Sequence, residues 1–279
     1  MKIGISGRRT SDDTYYKKIK SYGFDYFDIE MANTNVEPYV NDEKGFYEYL
    51  RKEKSLADEA GVNIWQVHGQ WRFTPLDQTA ENRAERFEKM VCSIRGTAIL
   101  GAKYWVVHPI MPFGTQDILT NNEKETREIN FEFMSKLLRV AQEEDITICL
   151  ENMPFLAFSL SSPSAIAGLV REINHSNFMM CLDTGHANIC KDWHTPATAI
   201  REFSNIIKVL HVHDNKGNID AHLPPFFGTI DWNDFSSALH EIGFSGVLSL
   251  ECAPSSRLPN DILDDMYSIY YRIAKAVIK

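Results

Sequence analysis

Short apolar runs that end directly on a histidine or a glutamate recur along this chain. A run of this kind is typical of a buried strand, and a ligand-type residue at its end indicates that the strand stops at a functional rim. One such end is often only a solvated terminus, so the repetition carries the argument. The runs are residues 65–68, 106–108, 148–151, 206–211 and 248–251, and Asp183 closes a sixth.

The segment from residue 211 to residue 225 is the densest of these strand ends. It holds three histidines and two aspartates within twelve residues, and it starts where the apolar run 206–210 stops. Histidine and carboxylate side chains are the usual protein ligands of divalent metals. The segment therefore predicts a metal-binding rim after a buried strand.

Strand-like runs alternate with longer amphipathic stretches over the whole chain. This order fits a (β/α)8 TIM barrel of the α/β class better than an open doubly wound sheet, which usually carries a G-x-G-x-x-G turn after its first strand. The turn at residues 4–8 lacks that spacing, and no linker or low-complexity tract interrupts the chain, so we expect one domain over residues 1–279. The predicted strands are 2–7, 26–31, 63–68, 104–108, 146–151, 178–183, 206–213 and 246–251, and the predicted helices are 12–22, 46–60, 80–100, 123–144, 163–173, 196–203, 232–241 and 261–277.

Several helix boundaries have local signals. Ser162 and Thr195 each precede a proline, which is the usual pairing of a capping residue with proline at the first helical position. Asn122 precedes two glutamates and is predicted to cap a helix. Glycines just past three predicted helices are expected to adopt the left-handed conformation: Gly61, Gly101 and Gly243.

Composition narrows the classes of partner. The chain is 44% hydrophobic, which is sufficient for a full core, and its net charge of −9 disfavours nucleic acid or an anionic membrane as partner. No apolar stretch approaches the ~20 residues needed to span a bilayer. The five cysteines show no C-x-x-C pairing, and Cys149, Cys181 and Cys252 lie in apolar runs. We therefore expect reduced core cysteines and a cytoplasmic protein.

In a parallel barrel the carboxyl ends of all strands meet on one face, so ligand-type residues distant in sequence come together there. Glu151 and Glu251 end very apolar runs, and two buried carboxylates facing each other need a cation between them. Oxygen and imidazole ligands suit Mn²⁺, Mg²⁺, Co²⁺ or Zn²⁺. The candidates, in strand order, are Glu30, His68, His108, Glu151, Asp183, His186, His211, His213 and Glu251.

At these residues the chain resembles the xylose-isomerase-like metal-dependent barrels, which include sugar and sugar phosphate isomerases and epimerases and endonuclease IV. The resemblance spans the whole chain, and its pieces are specific for the superfamily only when taken together and in order. They are residues 150–152 (LEN), 182–186 (LDTGH), 211–214 (HVHD), 220–225 (DAHLPP), 228–232 (GTIDW) and 250–251 (LE).

The resemblance implies one divalent metal ion held by Glu151, Asp183, His211 and Glu251. It also implies that Glu151 and Glu251 are catalytic and exchange a proton with a carbon next to the carbonyl of a sugar or polyol, through a cis-enediolate. Histidines near the metal would orient substrate hydroxyls, namely His68, His108, His186, His213 and His222. Several aromatic residues are predicted either to wall the site or to belong to the core: Trp71, Phe73, Trp105, Phe155 and Trp232.

Because of two departures from the family pattern, the resemblance does not identify a specific sugar as the substrate. Ketose 3-epimerases of the family have an arginine six residues after the histidine ligand, where this chain has Gly217, and the first glycine of a Gly-x-Gly before Ile-Asp-Trp is replaced by Phe226. The sequence also leaves open whether the sugar is phosphorylated, and whether the reaction is an epimerisation or an isomerisation. The oligomeric state is equally open, a homo-oligomer included.

Two other functions compete with a sugar enzyme. Endonuclease IV holds three zinc ions, and its ligand types all occur here, with Asp220 and His222 completing the set. A DNA enzyme needs basic active-site loops, however, and loops 111–117 and 152–158 carry no lysine or arginine. The second competitor is a non-catalytic metal- or sugar-binding barrel. Binding alone does not require two glutamates that face one carbon atom.

Overall fold

The computed structural model describes residues 1–7, 12–31, 42–71, 75, 77–191 and 193–279. Within these residues, eight parallel strands form a single sheet in the order β7-β6-β5-β4-β3-β2-β1-β8. The strands are β1 (Lys2–Gly7), β2 (Tyr26–Glu30), β3 (Asn63–His68), β4 (Tyr104–Val107), β5 (Thr147–Glu151), β6 (Phe178–Asp183), β7 (Ile207–His211) and β8 (Val247–Leu250).

Helices follow the strands and cover the outside of the sheet, as expected of a (β/α)8 barrel. They are α1 (Tyr15–Ser21), α2 (Glu43–Ala60), α3 (Ala80–Ile99), α4 (Glu123–Glu143), α5 (Pro163–Ile173), α6 (Thr184–Ile189), α7 (Pro196–Phe203), α8 (Trp232–Glu241) and α9 (Asn260–Val277). The predicted alternation and the barrel class are confirmed. Helix α6 and the turn of 3-10 helix over Asp117–Thr120 were not predicted.

The barrel closes between β7 and β8 just past the regular end of β7. Val212 forms a parallel bridge with Leu250. Its N–H donates to the Ser249 carbonyl at 2.8 Å, and its own carbonyl accepts the N–H of Glu251 at 3.0 Å. Closure at this level holds the end of β7 beside the end of β8. The side chains of His211 and Glu251 therefore lie close together.

Most of the boundary signals act as predicted. The Ser162 hydroxyl accepts the Ala165 N–H, and Gly61, Gly101 and Gly243 have positive φ. The Thr195 hydroxyl caps α7 in the same way. Asn122 is the exception, because it precedes α4 but its side chain makes no capping hydrogen bond and instead donates to the Thr120 hydroxyl at 2.9 Å.

The barrel interior changes character along its axis. Its middle is filled by a small apolar cluster of Val106, Cys149, Cys181 and Val209, all fully buried. Two residues further along the same strands, at their carboxyl ends, the inward side chains are polar instead of apolar. All five cysteines of the chain are buried and unpaired, as expected. No helix in the described part of the chain is both long and apolar enough to cross a bilayer.

Candidate active site

Glu151 lies at the centre of the carboxyl face of the barrel. Its Oε1 atom is 3.0 Å from Nδ1 of His211, and its Oε2 atom is 3.4 Å from Nε2 of His68 and 3.3 Å from Nε2 of His108. The side chain is 1% exposed. Burial alone would raise the pKa of the Glu151 carboxyl, but the surrounding imidazoles, His211 foremost, hold it well below its usual range.

Glu251 faces Glu151 across His211. Its Oε2 atom is 3.3 Å from Nδ1 of His211, so one imidazole nitrogen lies between the two carboxylates. Burial raises the pKa of Glu251 well above its usual range, and the nearby charges of Glu151 and Asp183 add to the effect. The environment therefore moves the two glutamate pKa values in opposite directions, as is common for acid–base pairs.

Three histidines of the face are oriented by backbone carbonyls. The Nδ1 atom of His68 lies 2.8 Å from the Gly69 oxygen. The matching pairs are His186 with the Asn152 oxygen at 2.7 Å, and His222 with the Glu251 oxygen at 2.7 Å. A proton on Nδ1 satisfies each carbonyl and turns Nε2 toward the site, which is the usual support of a metal-ligating histidine.

The Nε2 atoms of His186 and His222 point at the same carboxylate. Each lies 3.2 Å from Oδ2 of Asp220. Burial disfavours the charged imidazole of His186, but the carboxylates of Asp183 and Asp220 outweigh this effect and raise its pKa to about 10. Burial lowers the pKa of His108, by contrast, to about 4.

His213 supports Asp183 and does not line the cavity described below. Its Nε2 atom is 3.0 Å from Oδ2 of Asp183, and the ring is fully buried. A Cβ atom on Gly185 would lie 2.0 Å from this ring, so glycine is required there. A contact of His213 with substrate stays a prediction; in this structure its ring contacts Asp183 and is not part of the cavity lining. Strand alternation places His211 and His213 on the same face, so it did not predict that His211 lines the cavity while His213 does not.

The loop that carries Asp220 and His222 is held by one buried carboxylate. Asp214 accepts the N–H groups of Gly228 and Thr229 and the indole N–H of Trp232, at 2.9–3.1 Å. Gly228 admits no side chain, since a Cβ would lie 2.1 Å from the Asn215 oxygen. The G-T-I-D-W motif is thus the partner of Asp214 rather than a wall of the site.

A cavity of about 1190 Å³ opens over these groups. Trp71 and Phe155 line the cavity, as in the predicted alternative of a wall to the site. Trp105 and Trp232 are buried in the core. Phe73 lies outside the described residues. Among the described lining residues the only lysine or arginine is Lys18, which pairs with Asp12 at 2.8 Å. The acidic lining residues are Asp12, Asp28, Glu30, Glu151, Asp220, Glu251 and Asp264.

The donor set fits a divalent metal. One potential ligand atom from each of Glu151, Asp183, His211 and Glu251 lies within 4.8 Å of the others. Among the described residues, Oε2 of Glu151 and Oε2 of Glu251 have imidazole nitrogens at 3.3–3.4 Å but form no aligned hydrogen bond, and neither does Oδ1 of Asp220. Acceptors left unsatisfied at close range are stabilised by a shared cation. Two further groups meet the same distance criterion: His68, His108 and Glu151, and His186, His213, Asp220 and His222.

Sequence reasoning missed one inward carboxyl group, Asp28. Residues two apart on a strand point to the same face, and Glu30 was already recognised as a rim residue. The alternation through Phe27 and Ile29 was therefore the signal that could have identified Asp28.

Comparisons with known proteins agree with this architecture. A protein of Methanocaldococcus jannaschii described as uncharacterized is 30% identical over 262 residues, which cover 90% of this chain and 83% of the relative. D-psicose 3-epimerase of Ruminiclostridium cellulolyticum is 24% identical over 247 residues, covering 85% and 76%. A solved structure described as a D-tagatose 3-epimerase-like protein matches with a TM-score of 0.77 at 28% identity, covering 100% of both chains. The family model described as xylose isomerase-like TIM barrel matches residues 16–269. The chain therefore belongs to the xylose isomerase-like TIM barrel family.

Proposed function

We propose that this protein is a divalent-metal-dependent isomerase or epimerase of a sugar or polyol. The observation that carries the proposal is the convergence of Glu151 and Glu251 on His211 at the base of one cavity. Relatives described as a D-psicose 3-epimerase and a D-tagatose 3-epimerase-like protein support the same class of reaction.

Glu151, Asp183, His211 and Glu251 would hold the metal ion. A bound divalent ion polarises the carbonyl of the sugar and so lowers the cost of removing a proton from the neighbouring carbon. The protein then has to supply a base on one side of that carbon and an acid on the other. One of the two glutamates takes the proton, and the other returns a proton to the opposite face, or the same carboxylate returns it to a different carbon.

The oriented histidines would position the substrate hydroxyls. His68, His108, His186 and His222 line the cavity, and three of them are fixed by backbone carbonyls, so their free nitrogens are already oriented before the substrate arrives. Prior orientation of this kind lowers the entropy cost of reaching the reactive geometry. Trp71 and Phe155 add an apolar surface that sugar C–H groups can contact.

Transfer of solvent deuterium to the substrate tests the proposal. The metal-loaded protein is incubated in D₂O with a panel of ketoses, aldoses and inosose-type polyols, and each sugar is examined by NMR. We expect deuterium at the carbon whose configuration or oxidation level changes. A panel in which no sugar is converted and none acquires deuterium would contradict the proposal.

A second candidate function is an abasic-site nuclease with three metal ions. It is favoured by the two additional ligand groups, which adjoin the first through Glu151 on one side and through the contact of His213 with Asp183 on the other. The described lining of the cavity argues against it, since acidic residues dominate and a phosphodiester backbone needs cationic contacts. A cleavage assay separates the two functions and is described below.

A further inference from the structure

Asp28 is a buried carboxyl group that the proposed proton transfer does not use. It lies on β2 inside the barrel and is 2% exposed. The Ser249 hydroxyl donates to its Oδ2 atom, and the backbone N–H of Gln66 faces the same carboxyl. The pairing of β2 with β3 shifts register at this point. One side of the carboxyl group therefore has a structural explanation, since it supports an irregularity in the sheet.

The other oxygen of the Asp28 carboxyl group has no such structural explanation. Its Oδ1 atom is buried and has no hydrogen-bond partner among the described residues. Leaving a buried acceptor unsatisfied is costly, and such a group in a folded protein needs a partner that the chain itself does not supply. Asp28 lines the same cavity as Glu151 and Glu251.

The strand next to Asp28 leaves room for such a molecule. Ser6 of β1 is in register with Asp28, and Gly4 is in register with Ser249. Neighbouring residues in register on parallel strands point to the same face, so β1 contributes only small side chains to this side of the interior. Ser6 itself lines the cavity, which therefore extends downward along β1 toward Asp28.

The depth of Asp28 matches the length of a sugar chain. Ser249 of β8 contacts Asp28 and lies two residues before Glu251, which directly follows the strand, and two residues of a parallel strand rise ~6.6 Å. An extended chain of five or six carbon atoms covers about that distance. A sugar whose reacting carbon lies beside Glu251 therefore reaches Asp28 with the opposite end of its carbon chain.

Resting on the proposed function, we propose that Asp28 is a specificity-determining residue that binds the terminal hydroxyl group of the sugar, at the end remote from the reacting carbon. Burial raises the pKa of Asp28 to about 8. At neutral pH the carboxyl group therefore carries a proton and can donate to a hydroxyl as well as accept from it.

Binding of matched sugars tests the assignment. Calorimetry on the Mn²⁺-loaded protein compares D-fructose, D-psicose and D-tagatose, each with its 6-deoxy analogue, which lacks only the terminal hydroxyl. We expect the wild-type chain to bind at least one ketose about tenfold more tightly than its analogue. In Asp28→Ala this ratio is expected to fall to about one, because the loss affects the ketose and not the analogue.

Ser249→Ala is the matched control, since it removes the structural contact of Asp28 but keeps its carboxyl group. We expect it to keep the tenfold ratio. Equal weakening of ketose and analogue in Asp28→Ala would overturn the assignment, as would a wild-type chain that binds no ketose. Thermal melting of Asp28→Asn checks that replacing the carboxyl group preserves the fold. If the ketoses are discriminated but never exchange deuterium, the proposed catalysis fails while this binding role stands.

Discussion

The imidazole of His222 contacts the backbone of Glu251, since its Nδ1 atom lies 2.7 Å from the Glu251 carbonyl oxygen. This contact attaches the long loop after β7 to the end of β8. It also turns Nε2 of His222 toward Asp220, 3.2 Å away. The end of β8 therefore supports two groups of potential metal ligands, the one that contains Glu251 and the one that contains Asp220 and His222.

The first prediction concerns metal stoichiometry. Purified protein is expected to hold about one tightly bound divalent ion per chain, and Glu151→Ala and Asp183→Ala are expected to lose it, because each removes a buried ligand of the central group. Elemental analysis of the wild-type chain and its variants gives the measurement. His222→Ala serves as the control and should keep the ion. Three zinc ions per wild-type chain, with loss of one in His222→Ala, would favour the nuclease.

The second prediction concerns pH and Asp28. Its folded-state pKa of about 8 is well above the unfolded value of 3.8. Between these two values the folded chain binds a proton that the unfolded chain does not, so rising pH destabilises the wild-type fold until about pH 8. Asp28→Asn lacks this effect. Urea unfolding at pH 5 and pH 7.5 should therefore show the variant gaining stability relative to wild type by about 1 kcal/mol per pH unit. A difference that does not change with pH would contradict this.

The third prediction concerns backbone strain at Phe226. This residue has a φ of 74°, where glycine is favoured, and it is 50% exposed. The neighbouring Phe227 is 61% exposed and is not among the residues with positive φ. Glycine relieves strain at the first position only. We expect Phe226→Gly to be more stable than Phe227→Gly by about 1 kcal/mol in chemical denaturation, and the reverse order would show that packing of Phe226 on Trp232 dominates.

The fold could be predicted because its signals are local and repeated. Each strand is a short apolar run with a clear polar end, and most predicted bounds lie within one residue of those observed. Helix α6 could not be predicted, since its six residues are too few to show a helical period. It depends instead on the Asp183 side chain, which accepts the His186 N–H at 2.6 Å.

Which residues meet at the site was predictable in part. Strand parity separates the interior residues Val106 and His108 from Trp105, which points outward and donates its indole N–H to Ser93 at 2.8 Å. Strand alternation does not predict side-chain orientation in loops, so the roles of His213 and Asp214 could not be distinguished from those of their neighbours. Both depend on contacts with residues far away in sequence: Asp183 for the first and the Gly228–Trp232 turn for the second.

The fourth prediction concerns nucleic acid. Among the described residues that line the cavity, seven acidic side chains face one lysine, and that lysine is paired with Asp12. Phosphate contacts supply most of the affinity for DNA, so we expect no cleavage of a duplex with an abasic site at moderate salt, even with zinc added. Gel analysis of a labelled duplex provides the measurement. Efficient cleavage that disappears in Glu251→Gln would instead establish the nuclease.

The last prediction concerns the two glutamates as a catalytic pair. Replacement by glutamine preserves the size of the side chain and one carbonyl oxygen but removes the ability to take up a proton. Loss of a general base typically slows turnover ~10²–10⁴-fold. We expect Glu251→Gln to lower kcat by that order, and Glu151→Gln to do the same if the proton leaves one face of the carbon and returns on the other. The same two variants are loaded with metal and checked by elemental analysis, so that loss of the ion is not mistaken for loss of the base. Asp264→Asn, on α9 in the cavity lining, is the matched control and should keep its turnover. Near-normal turnover by both glutamine variants with metal bound would exclude proton transfer by this pair.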